Sequence, residues 1–215
     1  MIKTLASLQL RQFLVFRMLR TQMTEEQDLI KACLKGDSKA LESFYDRYAP
    51  VLLSTCMRYV PVRVDAEDLL QEALIKIMSN LRNFDFRGKG SIEAWMKRII
   101  VNLSLNFLRN KASKNIFIYV ENEALLDLND TKETDFEATD LSLDEIHRLI
   151  GELPIGYRTV LNLYVFEKYS HLEIATMLGC SEGNSKSQLL RARALLKKQI
   201  KELRTQKEAL PVYGS

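Results

Sequence analysis

The chain has 215 residues, 47% of them hydrophobic and 27% charged, a balance that reads as globular and soluble, with length enough for one large domain or two small ones. No apolar run approaches the roughly 20 residues of a membrane span, so direct insertion into a membrane is not expected. Three scattered cysteines (Cys33, Cys56, Cys180) and two isolated histidines (His147, His171) match neither a disulfide framework nor metal-ligand spacing. They imply buried thiols in a reducing cytoplasm, with no metal and no cofactor.

Only eight Gly and four Pro punctuate the sequence, so long helices are expected. The net charge of +3 conceals a strong asymmetry. Gly183 to Lys207 holds eight Lys/Arg against one Glu, whereas Ser113 to Asp140 holds two Lys against eight Asp/Glu. A basic helix beside an acidic connector suggests a polyanion partner.

Residues 1–22 contain no acid. Arg11 interrupts their apolar stretch and no small-residue cleavage site follows, which argues against a signal peptide. "MTEEQDLI" at Met23 has the form of a natural start, with Thr24 and Gln27 as a capping box. Residues 1–23 therefore read as a leader, either a dispensable extension or a start-site artefact.

A first helix is expected from Glu25 to Lys35, ending at Gly36, with Leu29, Ile30, Cys33 and Leu34 on its apolar side. A second starts after Asp37 and continues through "ALESFYDRYAPVLLSTCMRYV", with a kink or junction at Pro50. Asp65 is placed as cap of a third, "AEDLLQEALIKIMSNL". After "RNFDFRGKGS", Ser91 opens a fourth that runs to about Lys111 and buries Ile92, Trp95, Ile99, Leu103 and Phe107. From 113 to 140 the chain loses periodicity and reads as a flexible acidic linker. Helical patterning resumes at "LSLDEIHRLIGEL" and in "PIGYRTVLNLYVFEKY", where Pro154 marks a helix start. The expected architecture is all-α: two small helical bundles, 24–112 and 141–204, joined by the linker and followed by a tail at 205–215.

The most specific local pattern is "YSHLEIATMLGCSEGNSKSQLLRARALL". Ser170 can cap the helix "HLEIATML", Gly179 can take the turn after it, and Ser181 can cap the next helix, with Glu182 favouring its dipole. Ala175 lies where two helices approach closely. This is the pattern of a helix-turn-helix, whose second helix enters the major groove of duplex DNA. Ser185, Leu189, Ala192 and Leu196 share its core face; Ser185 is awkward there, where an aliphatic is expected. Lys186, Ser187 and Arg191 lie where base edges are read, and Arg193, Lys197, Lys198 and Lys201 continue the positive stripe toward phosphates. Ser181 and Gln188 complete the expected duplex contacts. A plain basic helix in a small bundle would explain the charge but not the glycine turn and the cap.

In the first bundle, Asp65, Glu67, Asp68 and Glu72 favour a helix N-terminus. That does not account for Asp68, Gln71 and Glu72 forming a polar face beside Leu69. No nucleophile, histidine or phosphate loop accompanies these acids, so a protein-docking face is a better reading than catalysis. The loop "NFDFRGKGS" sets Phe84 and Phe86 beside Arg87 and Lys89, a mixture suited to unstacked single-stranded bases. Lys97, Arg98, Asn102, Asn106 and Arg109 extend a mainly basic surface along the following helix, while Trp95 reads as core.

Taken together, "FYDRYAPVLLSTCMRYV", "DAEDLLQEALIKIMSNLRNFDFRGKGSIEAWMKRIIVNLSLNFLRNK", an acidic linker and "LPIGYRTVLNLYVFEKYSHLEIATMLGCSEGNSKSQLLRARALL" resemble a bacterial RNA polymerase sigma factor. The similarity is to the extracytoplasmic-function (ECF) subgroup of the sigma-70 family, which keeps only regions two and four, and it spans about Thr24 to Leu203. The resemblance implies region two at 24–112 and region four at 141–204. Asp68, Leu69, Gln71 and Glu72 would dock on the β′ clamp of core RNA polymerase, which also offers its β subunit. The "FDFRGKGS" loop and the next helix would open and hold the −10 promoter element as single strand. The helix-turn-helix would bind the −35 element as duplex, and the acidic linker would thread polymerase channels. The resemblance implies no catalysis by this chain and a cytoplasmic location. It also brings an anti-sigma factor into view as a partner, since the family often has one, usually at the membrane. A helix-turn-helix regulator acting without polymerase, a nucleic-acid enzyme and a sigma-like adaptor without promoter binding are the alternatives.

Overall fold

The computed structural model describes residues 25–111 and 141–209. The leader, Thr24 of the expected capping box, the linker and residues 210–215 lie outside them. Among the described residues every regular element is helical, in accord with the all-α expectation. The described chain divides into two compact units. One holds the residues up to Thr55 with Glu67–Leu103, and the other holds Cys56–Ala66 with the residues from Ser104 onward. This division by packing does not follow the sequence-defined limits of 24–112 and 141–204.

In the first unit, helix α1 covers residues 25–34. Gly36 turns the chain at φ 78°, and Asp37 then accepts a hydrogen bond from the Ala40 N–H at 3.0 Å, capping helix α2 (Ser38–Tyr59). No junction interrupts α2, which runs through Pro50. The carbonyl that loses its partner there belongs to Asp46, exposed like Pro50 itself, so water can satisfy it. Helix α3 (Arg63–Asn80) begins two residues before the expected cap, placing Asp65 inside its first turn. There it favours the dipole instead of capping.

A short 3₁₀ turn, Leu81–Asn83, and the loop after it lead to helix α4 (Ser91–Lys111). Its buried stripe is turned from the one expected. Ile92 and Leu103 are core as foreseen, but Met96 and Ile100 take the places given to Trp95 and Ile99, which are only half-buried, as is Phe107. Ile92, Met96, Ile100 and Leu103 follow the i, i+4, i+8, i+11 spacing of a single face, adjacent to the equally helical i, i+3, i+7, i+11 stripe that was expected, and packing selects between the two. With Phe44, Leu52 and Ile77 they form the core of this unit, each worth about 1.5–3 kcal/mol in burial.

The second unit gathers helix α5 (Leu143–Glu152), helix α6 (Ile155–Leu161), helix α7 (His171–Leu178) and helix α8 (Glu182–Ala209), with α8 packed on the other three. Ser142 caps α5 in a reciprocal box with Glu145. The hydrogen bond from Lys207, then that from the Ser142 backbone N–H, hold the Glu145 carboxyl down at about 2. Arg158, 6% exposed, closes the other end of α5 by donating to the carbonyls of Gly151 and Leu153 at 2.7 and 3.2 Å. Burial lowers its pKa. Helix α6 follows Pro154 as expected and passes into a π-helical turn, Asn162–Phe166. Lys168 ends this segment at φ 61°, a conformation that favours glycine.

Arg58 also belongs to this unit. Its guanidinium pairs with Glu167 at 2.8 Å, with both side chains nearly buried, and lies over the Phe166 ring at 4.5 Å. The Arg58 carbonyl accepts from the Asn162 amide at 2.7 Å.

Candidate nucleic-acid and polymerase interfaces

The helix-turn-helix is built as its residues predict. Ser170 caps α7 in a reciprocal box with Glu173, and those hydrogen bonds hold the Glu173 carboxyl below its ordinary value. Gly179 ends α7 in the left-handed region at φ 69°, and the Cys180 N–H returns to the Ala175 carbonyl at 3.0 Å. Ser181 then accepts from the Asn184 N–H at 3.1 Å, which makes it the cap of α8. Ala175 is buried at the close approach, 6% exposed.

On α8, Ser185, Leu189, Ala192 and Leu196 are all core. Ser185 sits there through a polar contact, its hydroxyl 2.9 Å from His171 Nδ1. The Tyr164 ring stacks on His171 at 4.5 Å, and the Arg193 guanidinium lies 6.0 Å from the other ring's centroid, that of Tyr164. The opposite side of α8 presents Lys186, Ser187, Arg193, Lys197 and Lys198 exposed, with Arg191 half-buried. Lys186 leans on Glu182 at 2.6 Å, an exposed pair worth little against a phosphate.

Gln188 departs from expectation. It is fully buried, with its amide donating to Asn184. Its position three residues after Ser185 turns it to the core side of α8, so it is not on the exposed face with the other expected duplex contacts.

On α3, Asp68, Gln71 and Glu72 are exposed together, with Glu72 paired to Lys76 at 3.0 Å. Leu69 is core, 4% exposed, and supports this face from beneath. Ile75, 68% exposed, shares the i, i+3, i+4, i+7 face that begins at Asp68. Sequence reasoning passed over it because an apolar residue in a helical stretch is ordinarily assigned to the core.

The loop before α4 holds its rings in contact. Phe84 lies 5.2 Å from Trp95 and 6.5 Å from Phe86, centroid to centroid. All three rings are half-buried, while Arg87 and Lys89 are exposed; Arg87 pairs with Asp85 at 3.1 Å. Along α4, Arg98 and Asn102 are exposed, and Lys97 is half-buried against Glu93 at 2.7 Å. Asn106 and Arg109 are exposed on the turns of α4 that belong to the second unit. There the Arg109 guanidinium donates to Asn106 and to the Met177 carbonyl.

The family model for sigma-70 region 2 matches residues 44–114, and that for sigma-70 region 4 matches residues 143–196. The RNA polymerase sigma-H factor of Pseudomonas aeruginosa is 31% identical over 191 residues, covering 84% of this chain and 97% of that one. This chain belongs to the sigma-70 family of RNA polymerase sigma factors. The ECF RNA polymerase sigma-E factor of Haemophilus influenzae is 30% identical over 189 residues, 85% of this chain and 98% of its own. This sigma factor is of the ECF kind. Among solved structures, the sigma factor RpoE of Bartonella quintana in complex with the anti-sigma factor NepR is 23% identical. It covers 76% of this chain and 98% of that chain, with a TM-score of 0.46.

Two polar residues of this sigma factor escaped the sequence reading. Glu26 sits on the buried side of α1 at 3% exposure, and His171 reaches Ser185. The signal for Glu26 was present: it precedes Ile30 by four residues and Cys33 by seven, so it shares their buried face. No described helix is long and apolar enough to cross a membrane.

Proposed function

We propose that this sigma factor binds core RNA polymerase, directs it to promoters, opens the strands at the −10 element and leaves bond formation to the polymerase. The observation that carries this reading is the order of the two family matches, region 2 before region 4, in a chain whose second matched part contains a correctly capped helix-turn-helix.

Region two spans 24–112 and region four 141–204 in this reading. Asp68, Gln71, Glu72 and the exposed Ile75 meet the β′ clamp, with Leu69 holding their helix from below. An exposed apolar residue among acids suits a docking face, since its burial rewards association while the acids set the partner's charge. Phe84, Phe86, Arg87 and Lys89 hold the displaced strand: rings stack on bases and cations track the backbone. Extruding a base costs a few kcal/mol, so retaining the open strand matters as much as reading it. Lys97, Arg98, Asn102 and Asn106 extend that surface, and Arg109 joins it on releasing the Met177 carbonyl.

Lys186, Ser187 and Arg191 read the −35 duplex, while Arg193, Lys197 and Lys198 hold its phosphates, with Ser181 setting the helix N-terminus. The chain works in the cytoplasm and is not itself an enzyme. Its partners are core polymerase (β′ and β), promoter DNA and, as for many of its family, an anti-sigma factor.

The test is binding of labelled promoter duplex by the chain alone, by core alone and by both. A specific complex requiring both is expected. Specific binding by the chain alone, with no association with core, would replace this reading with a helix-turn-helix regulator.

A further inference from the structure

Glu26 is an acid buried at the start of the described chain. It is 3% exposed, and a carboxylate removed from water is costly unless its oxygens are matched by donors. Both are matched. The Tyr48 hydroxyl of α2 donates to Oε1 at 2.9 Å, and the backbone N–H of Gly90 donates to Oε2 at 3.2 Å. Tyr48 is equally buried. Burial, then the bond to Glu26, raises its pKa well above the ordinary range, so it stays a donor at any working pH.

Gly90 closes the loop that carries Phe84, Phe86, Arg87 and Lys89. It sits at φ 80°, two residues after Gly88 at φ 119°, in backbone that side chains other than glycine rarely adopt. Its carbonyl starts the hydrogen-bonding of α4 by accepting from Ala94 at 3.0 Å, and its N–H is spent on Glu26. The other end of the loop is anchored by the Phe84 ring against Trp95. The loop is thus fixed at both ends, with its cations exposed between them. All these residues lie within the first unit, while α1 precedes the residues matched by the region 2 model.

We propose that Glu26 is a positioning residue for single-strand capture: acting through the Gly90 N–H, with Tyr48 holding its carboxylate, it sets the Arg87–Lys89 segment where the unpaired promoter strand passes. The inference rests on the reading of this loop as the −10 strand site. A carboxylate suits the role because its two oxygens can serve two donors at once, whereas an amide would turn an N–H₂ toward one of them.

The test uses full-length chain, free and assembled with core. The DNA probe is a single-stranded oligonucleotide of the non-template −10 region of a promoter mapped with the wild-type holoenzyme. Trp95 is the only tryptophan in the chain, so emission and acrylamide quenching in the free protein report the loop it touches. Glu26→Gln is expected to change the Trp95 signal and to weaken oligonucleotide binding by about tenfold, the scale of a lost charge-assisted hydrogen bond. Affinity for core should be unchanged. Tyr48→Phe should shift both readouts less and in the same direction. Ile30→Ala, which removes apolar packing from the same face of α1 without touching Gly90, should lower stability and leave oligonucleotide affinity intact.

An unchanged Trp95 signal and affinity in Glu26→Gln would overturn the proposal. So would an equal loss of affinity in Ile30→Ala, which would make Glu26 merely structural. If Glu26→Gln alters Trp95 while Phe86→Ala and Lys89→Glu bind the oligonucleotide like wild type, the strand-site reading of the loop fails, and the proposal falls with it.

Discussion

The Ser185 hydroxyl lies 2.9 Å from Nδ1 of His171, joining the two helices of the helix-turn-helix by a hydrogen bond. Ser185 is fully buried, so an aliphatic expected at this place is replaced by a polar tie that fixes both distance and rotation between α7 and α8. Ser185→Ala removes the tie and leaves a half-buried ring nitrogen without its partner. A loss of about 1–3 kcal/mol is expected, read as a lower urea midpoint with unchanged slope.

The same pair makes stability depend on pH. Burial first, then Lys186 and Arg193 against an opposing Glu182, lowers the His171 pKa from its ordinary value of 6.5. The unfolded chain therefore takes up the proton before the folded one as pH falls. The stabilising contribution is complete above about pH 6.5 and is lost as pH drops through and below it. His171→Asn places a non-titrating amide where Nδ1 meets Ser185 in the wild type. Melting temperatures of wild type and this variant, compared at about pH 7.5 and 5.5, should converge at the lower pH.

Two left-handed residues predict opposite effects. Gly179 holds φ 69° with nothing within 4 Å of an added Cβ, so Gly179→Ala should cost about 1–2 kcal/mol through backbone strain alone. Exposed Lys168 holds φ 61°, and Lys168→Gly should stabilise the chain by up to about 1 kcal/mol. Chemical denaturation of the two variants checks both signs.

Asp68→Arg tests the docking face. Asp68 is exposed on α3, so reversing its charge should leave the circular dichroism and melting temperature of the free chain unchanged. Affinity for core polymerase should fall by about tenfold or more, through like-charge repulsion where complementarity is expected. Titration of labelled chain with core measures it.

The helix-turn-helix was legible because its punctuation is local. Ser170, Gly179 and Ser181 each act on backbone within four residues, so their identities suffice to place both helices. The polar face of α3 was legible for a similar reason, since three polar residues at helical spacing cannot all be core. What escaped depends on partners distant in sequence. Gly90 lies 64 residues from Glu26, and no local pattern announces that a buried acid meets a loop N–H. Gln188 was misplaced because polarity was taken as exposure, although its spacing from Ser185 and Ala192 turns it toward the core. Trp95 and Ile99 follow a helical spacing from Ile92 just as Met96 and Ile100 do, so the period alone left two adjacent stripes of α4 open, and packing against residues distant in sequence buries the second.

The most direct test of the central claim is transcription in vitro from a pool of genomic fragments, using core polymerase with and without the purified chain and mapping every start. Starts that require both components and share sequence motifs near −35 and −10 are the predicted result. Tight association with core without any specific start, or starts unaltered by the chain, would contradict it.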